Sequence, residues 1–439
     1  MPDIIEPRVL KGFRDYLPEA ESVRSSLVKK LEKTFQSFGF VPIDTPSLEY
    51  AEILLGKGGG ETDKQVYRFK DLGGRDVALR FDLTVPFARF MAEHAEELYL
   101  PFRRFHIAKV WRGENTQRGR YREFMQCDFD VVGTDSASAD ADIVLVIASA
   151  MKALEVGPVR IRINHRGLFN RFLASAGISD KSVTILRTVD KIEKIGKPET
   201  LALLSAEVGE SMASAILDFI EPGESFEATL AKMFGFCKSD DQEAIFARKR
   251  LSDVYEIARA AECAESIVLD PSITRGLDYY TGIVFETTLQ DMPAIGSVCS
   301  GGRYNELASL YTTKKLPGVG ASIGLDRLLA ALEALGKTSA AEGGTRVLLA
   351  QLGDAPLKEL HSVAARLRGR GISAEVFPEA RKLLAQYGYA EKKSIPFALL
   401  LDESSISQGC FPLRDLAKRS TVSFESFDQL AAYLGGSPR

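Results

Sequence analysis

Apolar residues recur at every fourth position near the start of the chain and predict an amphipathic helix. Lysine and glutamate fill the positions between them over residues 19–38, so one face of the helix is apolar and the other is polar. The apolar positions are Val23, Leu27, Leu31 and Phe35. Gly39 follows directly, as is common after a helix. The next residues, FVPIDTP, predict a short strand that Pro46 closes.

Strand-like patterns dominate the next part of the chain, with one helix between them. The predicted strands cover residues 77–90, 103–114, 122–133 and 159–164. The polar segment NTQRGRY, which contains Gly119, joins the second strand to the third and predicts an antiparallel hairpin. Residues 140–157 predict a helix.

The pattern changes at about residues 177–256, which are rich in helix-forming residues and carry no motif with recognisable chemistry. We interpret this stretch as an inserted helical module. Strand and turn signals resume over residues 268–289 and 296–307, and residues 317–335 predict a turn that leads into a helix.

Small and polar residues at 336–345 predict a linker, after which strands and helices alternate. This alternation predicts a small α/β domain with a mainly parallel sheet over residues 346–439. From residue 345 onward the chain carries 13 basic and 10 acidic side chains, whereas the whole chain has a net charge of −4. A mildly basic unit on an acidic body suits contact with RNA.

Composition narrows the class of protein. In 439 residues, 45% are hydrophobic and 26% are charged, which is typical of about two to three globular domains. The five cysteines are widely spaced and include no CxxC pair, which disfavours a disulfide framework and excludes a zinc knuckle. The chain begins without an apolar signal region and contains no long apolar run, so we expect a cytoplasmic protein without a membrane span.

Two glycine-rich segments suggest nucleotide binding but fail on spacing. Residues 56–69 lack the GxxxxGK[ST] pattern of a phosphate-binding loop, so a mobile, lid-like loop is the favoured interpretation. Gly318, Gly320 and Gly324 form GxGxxxG rather than GxGxxG, and they do not follow the first strand of a βαβ unit. A dinucleotide site is therefore not expected.

Arginines in otherwise apolar surroundings are better evidence for an anion-binding site than the glycine-rich segments are. Each of Arg80, Arg112, Arg275 and Arg327 could be a structural salt bridge, but together, beside glycine-rich turns, they indicate a site for a polyanion. Carboxylates occur close to them in the sequence, at Asp82, Glu114, Asp130 and Asp278. Because a strand places Arg112 and Glu114 on one face, such a surface could bind a nucleotide with Mg²⁺.

These segments carry a resemblance. RFHIAKVWRGENTQRGRYREFMQCDFDVVG resembles motif 2 of the class II aminoacyl-tRNA synthetases, PGVGASIGLDRL resembles motif 3, and FVPIDTP resembles motif 1. TRGLDYYTG is similar to the signature peptide of the histidyl-tRNA synthetase family, and GSVCSGGRYNEL to its companion segment. The last ~95 residues are similar to the class IIa anticodon-binding domain, so the resemblance covers nearly the whole chain.

The resemblance implies an α+β class II catalytic domain at 1–335, with an antiparallel sheet flanked by helices and the helical insertion. A linker at 336–345 and an α/β anticodon-binding domain at 346–439 follow. It implies a homodimer paired through motif 1. The implied activity is histidine–tRNA ligation, in which ATP and L-histidine form histidyl-adenylate and histidine is then transferred to tRNA(His).

The resemblance also assigns roles by motif position. The implied catalytic residues are Arg112, Arg275 and Arg327. The implied ATP-binding residues are Arg112, Glu114, Arg120, Phe124, Arg275 and Arg327. The implied histidine-binding residues are Asp82, Thr84, Gln126, Asp130, Tyr279 and Tyr280. Mg²⁺ is expected to arrive with ATP, with Glu114 as a possible contact and no dedicated protein cage.

Two features depart from the common family pattern. Aspartate stands at 82 and 130, where many members carry glutamate, which resembles the family's Asp-bearing branch. Asn115 stands in the motif 2 loop where many members have a basic residue that reads the tRNA acceptor end, so the tRNA elements read by this chain stay open.

Three other interpretations compete with the enzyme. A synthetase-like regulatory subunit of ATP phosphoribosyltransferase is disfavoured because the chain keeps Arg112, Arg275, Arg327 and a complete C-terminal domain. A threonyl- or prolyl-tRNA synthetase is disfavoured by the RGLDYYTG peptide. A pure RNA-binding scaffold explains the arginine motifs least well.

Overall fold

The computed structural model describes residues 4–56, 65–273, 280–338, 344–353 and 357–436. The chain separates into two compact units, Met1–Ser339 and Ala340–Arg439. Among the described residues, no helix is both long enough and apolar enough to cross a membrane.

The first helix, α1 (Pro18–Ser37), forms where the four-residue apolar period predicts it. Leu27, Leu31 and Phe35 are buried in the main core of the first unit. Gly39 has a φ of +77°, a conformation that favours glycine, and it ends the helix and turns the chain into β1 (Val41–Pro42).

A small sheet follows, and here one prediction is wrong. Elements β2 (Leu48–Tyr50), α2 (Ala51–Leu55), β3 (Arg68–Lys70) and β4 (Asp76–Leu79) come next, and the strands pair in the order β2-β4-β3. Residues 77–90 are not one strand, because the chain enters α3 (Thr84–His94). The Asp82 carboxylate accepts a hydrogen bond from the Val85 amide at 3.0 Å, and Pro86 fits the first helical turn, so both residues favour a helix start.

The predicted hairpin is confirmed and is the longest strand pair of the first unit. Strands β5 (Phe102–Trp111) and β6 (Glu123–Val132) pair antiparallel along their whole length. Their loop closes with a Gln117–Arg120 bridge, and Gly119 has a φ of +70°.

The remaining elements of the first unit follow the hairpin. They are α4 (Ala137–Ala153), β7 (Val159–His165), α5 (Arg166–Ser175), α6 (Ser182–Val189), α7 (Ile192–Val208), α8 (Glu210–Ile220), α9 (Phe226–Gly235), α10 (Gln242–Ala260), β8 (Ile267–Leu269), β9 (Ile283–Leu289), β10 (Ser297–Arg303), β11 (Gly318–Gly324) and α11 (Leu325–Ala334). Among the described residues, eight strands form one sheet in the order β1-β5-β6-β11-β10-β9-β7-β8. Its central pairings are antiparallel, and the outermost pairs at both edges are parallel.

The helices predicted for about 177–256 pack directly on this sheet. Ile185, Leu204 and Phe219 belong to the same core as the sheet strands and α4. A buried ion cluster adds to this attachment: Asp140 of α4 pairs with Arg250 of α10, and its other oxygen lies 2.8 Å from Nη2 of Arg303 on β10. The inserted helices and the sheet therefore share one core.

The second unit has a five-stranded sheet among its described residues. Its elements are β12 (Val347–Gln351), α12 (Leu357–Gly369), β13 (Ala374–Val376), α13 (Leu383–Lys392), β14 (Phe397–Leu401), α14 (Glu403–Gln408), β15 (Phe411–Asp415), β16 (Ser420–Phe424) and α15 (Phe427–Gly436). The strand order is β13-β12-β14-β15-β16, with two parallel pairings followed by two antiparallel ones.

The prediction of a mainly parallel sheet is therefore wrong for β14, β15 and β16, which pair antiparallel. Strand β16 is largely exposed and polar, so it lacks the apolar pattern that identifies a strand. The turn before it is made by Asp415, which accepts a hydrogen bond from the Lys418 amide at 2.8 Å, and by Arg419 with a φ of +56°.

Candidate active site

A cavity of about 310 Å³ brings together most of the side chains that the sequence singles out. Strands β6, β9, β10 and β11 line it, together with the first turns of α3 and α11. The predicted site residues in its wall are Asp82, Thr84, Arg112, Glu114, Arg120, Phe124, Gln126, Asp130, Tyr280 and Arg327. The two other predicted residues, Arg275 and Tyr279, lie outside the described residues, as does Asp278.

Three buried aspartates, Asp82, Asp128 and Asp130, form what we call the carboxylate cluster. Asp130 lies 2.7 Å from Nη2 of the fully buried Arg104 and accepts a hydrogen bond from the Tyr304 hydroxyl. Burial raises the pKa of Asp130, while Arg104 opposes the shift. The cluster is therefore an anionic site whose charge is only partly matched by the protein.

Asp128 is the member of the cluster that the sequence analysis did not single out. Burial raises its pKa to about 7, and the charges of Asp130 and Asp82 add to the shift, while Arg104 opposes it. Thr84 Oγ1 lies 3.5 Å from Asp128 Oδ2. Among the described residues, no hydrogen-bond partner reaches its other oxygen.

Polar side chains beside the cluster are also held in place. Gln126 donates through Nε2 to the Ser322 hydroxyl at 3.0 Å, and its buried Oε1 has no hydrogen-bond partner within the described residues. Burial and the charge of Asp130 raise the pKa of Tyr280, so its hydroxyl keeps its proton and can donate.

The GxGxxxG glycines make room for this arrangement. A Cβ on Gly320 would overlap the Asp130 carboxylate, and one on Gly318 would overlap the Tyr304 ring. These glycines therefore serve close packing of β11 against β6 and Tyr304, which explains them without a dinucleotide.

Three arginines, Arg112, Arg120 and Arg327, form the second group, which we call the arginine cluster. Arg112 donates from Nε to the Phe81 carbonyl at 2.8 Å, and its guanidinium carbon lies 5.2 Å from the centre of the Phe124 ring. Arg120 is 42% exposed in its side chain and stands 4.0 Å from Glu114.

Arg327 is the most constrained member. Burial, and then the charges of Arg120 and Arg112, lower its pKa to about 10, against the opposing charges of Glu114 and Glu286. Its guanidinium donates to the Ser297 carbonyl. The preceding residue, Asp326, fixes the start of α11 by accepting from the Met125 amide at 2.6 Å and from the Tyr16 hydroxyl. The cluster thus holds positive charge in a partly desolvated wall, ready for an anion.

Arg80 does not join this cluster, contrary to the grouping of four arginines suggested by the sequence. Its guanidinium donates to the carbonyl oxygens of Thr45 and Lys109, at 2.5 and 3.0 Å. Arg80 therefore has a structural role, because its guanidinium N–H groups donate to backbone carbonyls away from the cavity wall.

Several residues in or beside the cavity wall were missed at the sequence level. Those in the wall are Glu286, Tyr304 and Ser322. Arg104 and Asp128 lie beside it and contact the wall residues Asp130 and Thr84. Tyr304 could have been found, because it stands in the GGRYNEL segment that already drew attention. Asp128 alternates with Gln126 and Asp130 along β6, so a strand register would have placed it on their face. Arg104 offered no such signal, since an arginine in an apolar strand is compatible with many roles.

The antiparallel sheet, the motif 2 hairpin and the arginine cluster define a class II aminoacyl-tRNA synthetase catalytic domain. A family model described as histidyl-tRNA synthetase matches residues 12–328, and one described as an anticodon binding domain matches residues 346–434. The chain belongs to the histidyl-tRNA synthetase family, and the resemblance read from its motifs is confirmed.

Individual relatives support the same family assignment. A histidine–tRNA ligase of Treponema denticola is 52% identical over 411 residues, which cover 92% of this chain and 91% of the relative. The crystal structure of histidyl-tRNA synthetase from Nostoc sp. PCC 7120 superposes with a TM-score of 0.89 at 30% identity, covering 98% of this chain and 99% of that one.

A more distant structure shares the fold alone. It is described as an ATP phosphoribosyltransferase regulatory subunit/histidyl-tRNA synthetase from Bacillus halodurans C. The TM-score is 0.74 at 22% identity, over 89% of this chain and 97% of that one.

Proposed function

We propose that the cavity carries out histidine–tRNA ligation, the activity of the curated relatives that match this chain over most of its length. In this reaction L-histidine and ATP form histidyl-adenylate and diphosphate, and histidine then passes to the 3′ end of tRNA(His), releasing AMP. The single observation that supports it best is that one cavity is lined both by Asp82 and Asp130 of the carboxylate cluster and by the arginine cluster.

The carboxylate cluster fits the two ends of histidine, which are the positively charged α-ammonium group and the hydrogen-bonding imidazole. Asp82 and Thr84, with Asp128, take the α-ammonium group, and Asp130 and Tyr280 recognise the imidazole, with Tyr279 beside them. Gln126 approaches the carboxylate. A site with obligate polar partners rejects amino acids that lack them far better than an apolar pocket does.

The arginine cluster fits ATP. Arg112 and Arg275 hold the α-phosphate, Arg327 and Arg120 the terminal phosphates, and Phe124 stacks on adenine. Glu114 and Glu286 both lie close enough to influence Arg327, and two carboxylates beside phosphate oxygens are a donor set that Mg²⁺ accepts. When bound there, Mg²⁺ would neutralise phosphate charge.

The chemistry asks for positioning rather than for a strong base. A carboxylate oxygen of histidine attacks the α-phosphorus in line, a new C–O–P linkage forms, and the bond to diphosphate breaks. Two anions must therefore be brought together, and the charge on the transferring phosphorus must be neutralised. We assign that role to the guanidinium groups of Arg112, Arg275 and Arg327.

The second unit and the partners follow from family membership. Residues 346–439 supply contacts to the tRNA anticodon region. Motif 1 pairs two copies, and the exposed apolar side chains of Leu48, Tyr50 and Phe69 on the small sheet near motif 1 support an interface there. The protein works in the cytoplasm.

The regulatory-subunit alternative finds less support. Its distant structural match shares the fold at 22% identity, whereas Arg112, Arg120 and Arg327 all stand in the cavity wall. A chain without catalysis has no need to keep that charge partly desolvated.

ATP–diphosphate exchange across the twenty amino acids tests the proposal. We expect exchange with L-histidine alone. The same protein should attach labelled histidine to tRNA(His). Absence of histidine-dependent exchange in a folded preparation would refute the ligase assignment.

A further inference from the structure

Arg162 lies on β7, beside the cavity rather than in its wall, and its guanidinium is shared among several acceptors. Nε lies 2.7 Å from Asp270, Nη1 3.3 Å from Glu286, and Nη2 2.8 Å from Glu193. Nη2 also donates to the Ser272 hydroxyl at 3.2 Å. The Arg162 side chain is only 12% exposed, so these contacts are weakly screened.

The partners of Arg162 belong to three different parts of the first unit. Glu286 is a wall residue of the cavity whose charge acts on Arg327. Asp270 and Ser272 form the turn that leads directly into residues 274–279, which include Arg275. Glu193 lies on α7 of the inserted helices.

The turn at 270–273 is held firmly from β7. Asp270 accepts hydrogen bonds from the Ser272 amide and hydroxyl at 2.9 and 2.6 Å. Asn164 donates to the carbonyl oxygens of Pro271 and Ile273, both at 3.1 Å. Arg162 therefore fixes, with Asn164, the point from which the chain continues to Arg275.

We propose that Arg162 is a positioning residue for the adenylation step. It holds the Glu286 carboxylate in the cavity wall and anchors the 270–273 turn, so one guanidinium supports two parts of that wall, Glu286 and Ile273. This inference rests on the proposed function. Side chains that orient the ligands of a bound metal typically contribute 10–100-fold to metal affinity or activity.

Loss of Arg162 takes away the cation that three carboxylates share. Glu286 then loses its 3.3 Å contact with Arg162, and the 270–273 turn keeps only the anchors that Ile163 and Asn164 of β7 provide. The change at Glu286 affects the phosphate-binding side of the cavity. Within the described residues the carboxylate cluster makes no contact with Arg162, so we expect the affinity for histidine to change much less than the affinity for ATP.

The experiment compares Arg162→Gln and Arg162→Lys with a matched control. Arg171 on α5 makes the same kind of bridge, 2.6 Å to Asp241 and 3.3 Å to Glu243, and it does not line the cavity. Arg171→Gln therefore removes a comparable ion pair at an unrelated place. Ser272→Ala removes one neutral contact of Arg162 and serves as a mild variant if Arg162→Gln folds poorly.

The binding readout is independent of activity. Trp111, the single tryptophan of the chain, is adjacent to Arg112, and its fluorescence can follow titration with ATP in the presence and absence of Mg²⁺. The second readout is the single-turnover rate of adenylate formation, and the third is the KM for histidine.

For Arg162→Gln we expect the Kd for Mg²⁺–ATP to rise about tenfold or more and the adenylation rate to fall, with the histidine KM within about twofold. Arg162→Lys should rescue part of the loss, and Ser272→Ala should weaken nucleotide binding about two- to threefold. Arg171→Gln should match the wild type.

Two results would overturn the inference. One is a change in melting temperature for the Arg162 variants, with Kd and adenylation rate unchanged. The other is an equal loss of histidine and nucleotide affinity, which would indicate general distortion. Failure of the wild-type protein to exchange diphosphate would instead count against the ligase assignment, so the two hypotheses fail in different ways.

Discussion

The two groups of charge in the cavity are opposite in sign and are built differently. The carboxylate cluster is almost fully buried, and protein groups such as Arg104 and the Tyr304 hydroxyl already contact it. The arginine cluster is only partly buried, and Arg112 and Arg327 are held by backbone carbonyls, which carry no net charge.

The pKa shifts follow this difference. Burial raises the pKa of Asp128 and Asp130, and it lowers the pKa of Arg327. In both clusters burial makes the charged form of the side chain less favourable. A bound ligand of opposite charge offsets this cost. The carboxylate cluster is suited to select a small cationic molecule, and the arginine cluster to stabilise charge that moves during reaction.

Substitution in the arginine cluster should have the largest effect. Arg327→Gln removes a charge that is needed most when the phosphorus is attacked, and such contacts are worth about 3–4 kcal/mol. We expect the adenylation rate to fall by about 10²–10³-fold, with histidine KM changed little. Single-turnover diphosphate release measures this, and an unchanged rate would contradict the assignment.

The carboxylate cluster should give the opposite kinetic signature. Asp130→Asn keeps the shape but removes the negative charge, so we expect the histidine KM to rise by about 10–100-fold, since charged hydrogen bonds contribute about 1.5–3 kcal/mol. The KM for ATP should stay the same. Gly320→Ala, which pushes a methyl group into Asp130, should reproduce the effect, and a loss of ATP affinity in either variant would argue against separate clusters.

The buried cluster also predicts a pH dependence of stability. With the pKa of Asp128 near 7, the folded state binds a proton between about pH 4 and 7 that the unfolded state does not. Stability should therefore fall as pH rises through this range, by about 1.4 kcal/mol per pH unit for one proton, and level off above pH 7.

Asp128→Asn removes this titration. The melting temperature of the variant relative to the wild type should rise from pH 5 to pH 7 and then stay constant. A difference independent of pH would show that Asp128 is already ionised in the folded protein at low pH.

The smallest effect is expected at the exposed edge of the arginine cluster. Arg120 is 42% exposed and 4.0 Å from Glu114, so solvent screens its charge. Arg120→Ala should raise the KM for ATP only about two- to fivefold, and less at high salt. A loss as large as that of Arg327→Gln would mean that the side chain closes over the nucleotide.

Local chemistry made part of this structure predictable. The α1 helix, the β5–β6 hairpin and the core strands have clear periods, and Arg112, Asp130 and Arg327 lie in recognisable motifs. Strand β16 was missed because it is exposed and polar, and α3 because apolar residues hid the start signal of Asp82 and Pro86.

Tertiary contacts decide the roles of the side chains that the sequence alone could not predict. Arg104 and Arg80 look alike in the sequence, yet Arg104 faces Asp130 while Arg80 meets backbone carbonyls. Only the pairing of strands distant in the sequence separates these two roles. The same holds for Arg162, whose partners come from three segments.

The Asp140 cluster has a consequence for how this chain can change over evolutionary time. Asp140 sits between Arg250 and Arg303, so replacing Asp140 leaves two buried guanidinium groups with only the half-exposed Asp135 as their shared counterion. Such a step costs about 3–5 kcal/mol, a large share of the 5–15 kcal/mol that usually keeps a protein folded. Asp140 can therefore be exchanged only together with its two arginines, and a chimera that receives its inserted helices from another family member should keep an arginine at the position of Arg250.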